Sequence, residues 1–391
     1  MNKIQMLNKI STKGLEKFPL DKYEIGTEVV NPNAILVRSQ NMLDMDLPES
    51  LLAVGRAGAG VNNIPLPKCT EKGIVAFNTP GANANAVKEI VVAGLLLSSR
   101  KIVDGINFAK TLVGKGAEVS AIVEKNKKHY AGSEIKGKKL GLIGLGAIGV
   151  MVANDALALG MEVEGFDPYI SVEAAWNLSR EVKKAKGLDD LIASSDYISL
   201  HVPLNDKTKG ILNAERFGLM KKGVKILNFA RGGLVNNADL SKAMADGVVS
   251  SYVTDFADEE LLKMDNTICI PHLGASTDES EENCAMMVVK QIKDFIENGN
   301  IINSVNFPAC SLGTVAVSRI CIANNNVSGV VGHISTILAD AKLNISEMLN
   351  KSKDDVAYTI VDIDGDVPEE VIANIAAVKD IIKVRLLKSS E

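Results

Sequence analysis

Aromatic residues are scarce in this chain, at 4% of 391 residues, and no sign of charge dominates. A formal net charge of −5 gives no reason to expect nucleic acid as a partner. The five cysteines (Cys69, Cys269, Cys284, Cys310, Cys321) form no CxxC pair and no metal-ligand spacing with the four histidines. No metal is expected, and thiols scattered in this way read as reduced, in a cytoplasm. The opening residues Met1 to Lys9 lack the apolar core of a signal peptide. No apolar run is long enough for a bilayer; the longest, Ile90 to Leu97, reads as part of a buried helix, so no membrane partner is expected. What remains is an ordinary globular composition with room for two or three domains.

The most informative stretch runs from Leu140 to Asp167. An apolar strand (Leu140, Leu142, Ile143) enters Gly144-Leu145-Gly146-Ala147-Ile148-Gly149, followed by an apolar helix pattern. A second strand, Met161 to Phe166, ends on Asp167. A dinucleotide needs this order. Gly144 permits the tight turn, Gly146 lets backbone approach a pyrophosphate, and Gly149 lets the helix pack closely on the strand. The free N–H groups and positive end of that helix face the phosphates. Asp167 is suited to the adenosine ribose hydroxyls, and Pro168-Tyr169 brings no cation for a 2′-phosphate, so NAD is expected rather than NADP.

Before that stretch, Ala34–Val37, Leu52–Gly55 and Gly73–Asn78 read as strands, with a second glycine cluster at Arg56-Ala57-Gly58-Ala59-Gly60. Asn83 to Lys101 reads as one helix, and the lysine-rich stretch Lys125 to Lys139 as solvated connecting surface. After it, strands are expected at Tyr197–Val202, Lys225–Phe229, Val248–Phe256 and Thr267–Ile270, then a long helix at Ser276–Glu297 and a linker at Ile302–Cys310. Alternating strands and helices imply parallel sheets. The last eighty or so residues instead read βαββαβ, a small separate domain with helices on one face. The expected architecture is α/β: two doubly wound, Rossmann-like domains, the first discontinuous, plus that terminal domain. The expected bounds are 1–85 and 276–310 for the first, 86–275 for the NAD-binding domain and 311–391 for the terminal one.

Hydride transfer between NAD and a hydroxyl-bearing carbon needs a base, a carboxylate that tunes it, and a cation for the substrate carboxylate and carbonyl. His272, in Pro271-His272-Leu273-Gly274, follows a strand and can take a proton. Glu260 lies on the preceding loop, and Arg231 follows the strand Lys225–Phe229 and can grip a carboxylate. Taken singly, each has a plainer reading as a loop histidine, a surface cation and a solvated acid; the three together, downstream of a dinucleotide turn, point to chemistry.

The segments Gly141–Gly149, His201-Val202-Pro203-Leu204, Phe229–Gly233, Asp255–Glu260 and Pro271–Gly274 together resemble the D-isomer-specific 2-hydroxyacid dehydrogenases. The resemblance implies catalytic roles for Arg231, Glu260 and His272. It implies cofactor contacts at Gly144, Gly146, Ala147, Ile148, Gly149, Asp167, Pro203, Phe229, Ala230, Asp255 and Gly274. In such enzymes the first glycine turn offers backbone N–H groups, here Ala57 and Gly58, to the substrate carboxylate. Arg56, Arg38 and Lys88 are the options for a substrate phosphate, with Asn83 beside the same helix start. Lys88 replaces a commoner small residue and reads equally well as an exposed first-turn lysine.

The terminal domain is similar to ACT domains, the small-molecule sensors of amino-acid pathways. Asn326 and Asn344 match the asparagine positions that hold serine in regulated members, and Asn324 stands where a histidine is common and can still hydrogen-bond, so L-serine is the implied effector. The implied reaction is NAD-dependent oxidation of 3-phosphoglycerate to phosphohydroxypyruvate, the first step of serine synthesis, in a homodimer or homotetramer. Another dehydrogenase of the glyoxylate or hydroxypyruvate type, or a non-catalytic NAD-sensing regulator, is the alternative.

Overall fold

The structure, a computed structural model, describes residues 1–389. It divides into two compact units, Met1–Asn83 with the chain from Asp278 onward, and Ala84–Thr277. Among the described residues no helix is long and apolar enough to cross a membrane.

In the first unit, β1 (Asn2–Met6), β2 (Tyr23–Gly26), β3 (Ala34–Val37), β4 (Ala53–Arg56) and β5 (Val75–Phe77) lie parallel in the order β2-β1-β3-β4-β5. All four residues of β3 are buried, as in a parallel strand covered on both faces. The sequence pattern does not mark β1, because only Ile4 among its residues is fully buried. The return helix Asp278–Asn298 lies across this sheet, burying Ala285, Val288, Val289, Ile292 and Phe295. It approaches β4 so closely that a Cβ on Gly55 would sit 2.5 Å from Val288 Cγ2.

The second unit carries β6 (Lys139–Ile143), β7 (Glu162–Phe166), β8 (Lys183–Lys184), β9 (Tyr197–Leu200), β10 (Val224–Asn228), β11 (Val249–Thr254) and β12 (Thr267–Cys269). Their order is β12-β11-β10-β9-β6-β7-β8, with every pairing parallel. The chain winds one way from β6 to β7 and the other way from β9 onward, so a crevice opens beyond the carboxyl ends of β6 and β9. The helix Ala84–Ser99 packs against this sheet through Val87, Val91 and Leu95. The lysine-rich stretch begins helical, through Asn126 and a short turn at Lys127–Tyr130, and is mostly exposed.

The terminal domain contains β13 (Ser318–Asn325), β14 (Ile345–Lys353), β15 (Val356–Ile363) and β16 (Ile381–Lys388), antiparallel in the order β14-β15-β13-β16. Its helices, Val330–Asp340 and Glu369–Ala376, cover one face through Ile334, Leu338, Val371 and Ile375 against Ile320 and Ile322.

Two expectations are corrected here. The domain is not packed by itself: Cys321, Ala323, Tyr358 and Ile360, on its other face, share one core with Val288, Phe295 and Ile301 of the first unit. Ile302–Cys310 is not a free linker either. Asn306 Oδ1 accepts from Ala76 N–H at 2.8 Å, Val305 N–H donates to Ala76 O, and Phe307 is buried. The cause is β13, whose side chains are apolar on both faces, so one face still needs cover after the helices are placed.

Polar contacts reinforce the shared face. Arg385 donates to Ile296 O at 2.9 Å and lies over the Phe295 ring, gripping the carboxyl end of the return helix where the helix dipole favours a cation. Lys383 Nζ donates to Leu51 O at 2.8 Å. Arg319, fully buried, pairs bidentately with Asp362 and donates to Asn298 O (2.8 Å) and Gly313 O (2.9 Å). Replacing Arg319 strands the Asp362 carboxylate and these carbonyls together. Arg319→Ala is therefore expected to cost about 3–5 kcal/mol in urea unfolding; a loss below about 1 kcal/mol would mean that water replaces the guanidinium freely.

Candidate active site

The dinucleotide turn follows β6. Gly144 has φ +98°, and a Cβ there would lie 2.6 Å from His201 O. A Cβ on Gly149 would collide with Gly144 O, so the helix can begin here only on glycine. Gly146 differs: no protein atom lies within 4 Å of its Cβ position. The helix Ala147–Ala158 has no side-chain cap, which leaves the N–H groups of Ala147, Ile148 and Gly149 for a ligand. Asp167 Oδ2 accepts from Leu145 N–H and Oδ1 from Tyr169 N–H, both at 2.8 Å, so this acid also braces the turn. After β9, His201 Nε2 lies 2.9 Å from Ser199 Oγ, and burial pushes the ring's pKa down to about 4. Pro203, two residues on, is exposed.

The remaining candidates of this unit sit at the ends of β10, β11 and β12. Phe229 is buried against Gly94, Ala230 is half-buried against the core, and Arg231 is exposed. Asp255 follows β11 and is almost fully buried; its Oδ2 accepts from Gly274 N–H at 3.0 Å, and its Oδ1 has no partner. Burial raises its pKa, with the Gly274 N–H acting in the opposite direction. Gly274 is required, since a Cβ there would sit 2.9 Å from that carboxylate. His272 adopts φ +48°, held by its N–H to Asp255 O (3.1 Å), with its ring against Phe256 at 5.0 Å between centroids. Glu260 is the second residue of a helical turn, Glu259–Leu262, capped by Asp258, whose carboxylate accepts from Leu261 N–H at 2.8 Å. A cavity of about 810 Å³ is lined by Gly232, Asp255, Phe256, Glu260 and His272, which brings the expected acid and base to one space.

These residues fit a bound NAD. The open space at Gly146, the uncapped helix start and the unpartnered Asp255 acceptor suit a dinucleotide with an amide donor.

The substrate-binding candidates need correction. Ala57 N–H is consumed by Val37 O at 2.8 Å, extending the β3–β4 pairing, and Gly58 N–H by Arg56 O at 2.9 Å. Further on, the N–H groups of Ala59 and Gly60 have no protein partner among the described residues. Arg56 donates to Arg38 O at 2.9 Å, its guanidinium occupying the space that Gly60 leaves open. Arg38 pairs with Glu281 at 2.6 Å. Asn83 is half-buried at the unit boundary. Lys88 pairs with Asp155 at 2.8 Å and is 15% exposed, so its ammonium is already taken. Sequence reading also passed over Asn8, whose Oδ1 accepts the N–H groups of Arg38, Ser39 and Gln40 and shapes the loop after β3.

The three effector candidates are not brought together within one chain. Asn324 is buried, its Nδ2 donating to Asn325 O and its Oδ1 without a partner. Asn326 donates to Asp354 O beside it. Asn344 bonds Asp364, and the β13–β15 register places that residue at the opposite end of the sheet. The separation is roughly 20 Å at the rise of a strand.

Residues 99–274 match the NAD-binding domain of the D-isomer specific 2-hydroxyacid dehydrogenases. The D-3-phosphoglycerate dehydrogenase of Haemophilus influenzae is 30% identical over 386 residues, covering 95% of this chain and 90% of that protein. The chain belongs to the D-isomer-specific 2-hydroxyacid dehydrogenases. The enzyme of the same name from Escherichia coli K12 is 31% identical over 387 residues, with the same coverage. That of Methanocaldococcus jannaschii is 34% identical over 342 residues, and that of Archaeoglobus fulgidus 36% over 309; the chain spans 62% and 56% of their lengths. Among solved structures, NAD+-bound 3-phosphoglycerate dehydrogenase from Entamoeba histolytica aligns with TM-score 0.60 and 26% identity over 78% of this chain and 98% of that one. Rhodotorula graminis D-mandelate dehydrogenase, at TM-score 0.66, 22% identity and 80% and 99% coverage, shares the fold.

Two outcomes follow from the turn's geometry. Gly146→Ala should leave the melting temperature unchanged but weaken NADH binding at least about tenfold, because its methyl meets cofactor and not protein. Gly149→Ala should lose both; a stable, NADH-binding Gly149→Ala would contradict the packing. For His201, the folded ring protonates near pH 4 and the unfolded one near 6.5. Stability is thus full above 6.5 and falls as the pH drops through that window, since only the unfolded state takes up the proton. His201→Asn should flatten this part of a pH–stability curve.

Proposed function

We propose that the chain oxidises 3-phospho-D-glycerate to 3-phosphohydroxypyruvate with NAD, the first step of L-serine synthesis. The observation that carries this reading is similarity over nine-tenths of the length of D-3-phosphoglycerate dehydrogenases, terminal domain included. NAD, when bound, supplies the hydride acceptor. The N–H groups of Ala147, Ile148 and Gly149 hold its pyrophosphate, Asp167 its ribose, and Asp255 Oδ1 an amide donor. His272 takes the substrate hydroxyl proton, and Glu260, on the same cavity, stabilises the imidazolium. Arg231 grips the carboxylate and polarises the carbonyl. In the first unit the Ala59 and Gly60 N–H groups meet substrate oxygens, and Arg56 and Arg38 supply positive charge for the phosphate.

The terminal domain, read as an ACT domain, serves as an L-serine sensor. The buried, unpartnered Asn324 Oδ1 supports this, because it wants a donor such as an ammonium group. With Asn344 at the far end of the sheet, one effector can bridge both asparagines only across two copies of the chain, in a homodimer or homotetramer.

NADH formation from 3-phosphoglycerate is the direct measurement. His272→Ala should lower kcat at least about a hundredfold while NADH still binds. Reduction of glyoxylate but not of phosphohydroxypyruvate would replace this reading. Millimolar serine should slow turnover in proportion to its binding, and a chain indifferent to serine in both rate and melting temperature would leave the domain an assembly element.

A further inference from the structure

We infer that Asn228 is the residue that aims Arg231, by clamping both ends of its backbone unit from inside the sheet. The inference rests on the reading of Arg231 as the ligand of the substrate carboxylate. Asn228 ends β10 and is fully buried. A carboxamide offers two donor and two acceptor positions, and here all four are used. Oδ1 accepts from Ala230 N–H (3.2 Å) and Arg231 N–H (3.3 Å). Nδ2 donates to Arg231 O (2.8 Å) and to Tyr252 Oη (3.1 Å) on the neighbouring strand β11.

Both polar groups of the Arg231 backbone therefore end on one rigid side chain. That holds the residue extended, at φ −158° and ψ 145°, just before the turn Gly232–Leu234. The guanidinium itself is exposed, held only by Nη1 to Ala230 O at 2.7 Å among the described residues. Its aim thus comes from the direction of its Cα–Cβ bond, which the clamp sets. The main chain of Asn228 extends the brace: its carbonyl accepts from Thr254 Oγ1 (2.8 Å), which in turn accepts from Phe256 N–H (3.1 Å). The turn bearing Arg231 and the turn bearing Asp255 are thereby held by one network.

The test is a double-mutant cycle, with kcat and KM measured for 3-phosphoglycerate and NADH affinity by fluorescence. Asn228→Asp keeps shape and acceptors but sets an oxygen against Arg231 O, so it breaks the clamp without a cavity. Asn228→Asp and Asn228→Ala should lower kcat/KM about tenfold to a hundredfold, with KM for the acid rising and NADH affinity within about twofold. In an Arg231→Ala background, adding Asn228→Ala should change kcat/KM by less than about twofold, because nothing is left to aim. Equal losses in both backgrounds, or a parallel loss of NADH binding, would overturn the proposal and leave Asn228 structural. If Asn228→Ala does not fold, Tyr252→Phe, which removes one of the four anchors, carries the same comparison. Wild-type activity in Arg231→Ala would overturn the site reading itself, and this inference with it.

Discussion

Parallel pairing is the constraint from which the site derives. In the seven-stranded sheet every strand runs the same way, so the segments after β6, β9, β10, β11 and β12 all emerge at one edge. The glycine turn, His201, Arg231, Asp255 and His272 come from five distant parts of the chain, and no local preference brings them together. A buried strand also restricts the residues immediately after it. Asp255 is held almost without solvent at the end of β11, and its carboxylate and carbonyl fix Gly274 and His272.

The same economy of burial explains the terminal domain. A four-stranded sheet with two helices covers one face, and its other face is apolar at Cys321, Ala323, Tyr358 and Ile360. Joining the first unit's core removes that surface from water, and Arg319 and Arg385 satisfy carbonyls at the carboxyl end of the return helix. One helix thus packs against β4 and is gripped at its carboxyl end by the terminal sheet.

Local sequence rules carried most of the fold. Six of the seven strands of the large sheet, the long helices and the βαββαβ order all follow from periodicity and turn residues. Strands that bury little, such as β1 with Ile4 alone, left no such mark. At the site, residue types chosen for their chemistry were legible, but their hydrogen-bond partners were not. Lys88 looks like a free cation until Asp155, on a neighbouring helix, is seen beside it. Ala57 and Gly58 look like open donors until the pairing of β3 with β4 claims the first and a tight turn the second. Asn228 has no distinguishing pattern, because a buried asparagine declares itself only through its four partners.

By itself the sequence determined the cofactor class, the strand-turn-helix that receives it and the family, because glycine placement and apolar period act over a few residues. Tertiary structure alone decided which donors remain open, which cations are already paired, that the terminal domain shares its neighbour's core, and that Asn324 and Asn344 lie at opposite ends of one sheet. Each of those depends on which groups from distant segments share a low-dielectric interior, where every donor and charge must find a partner.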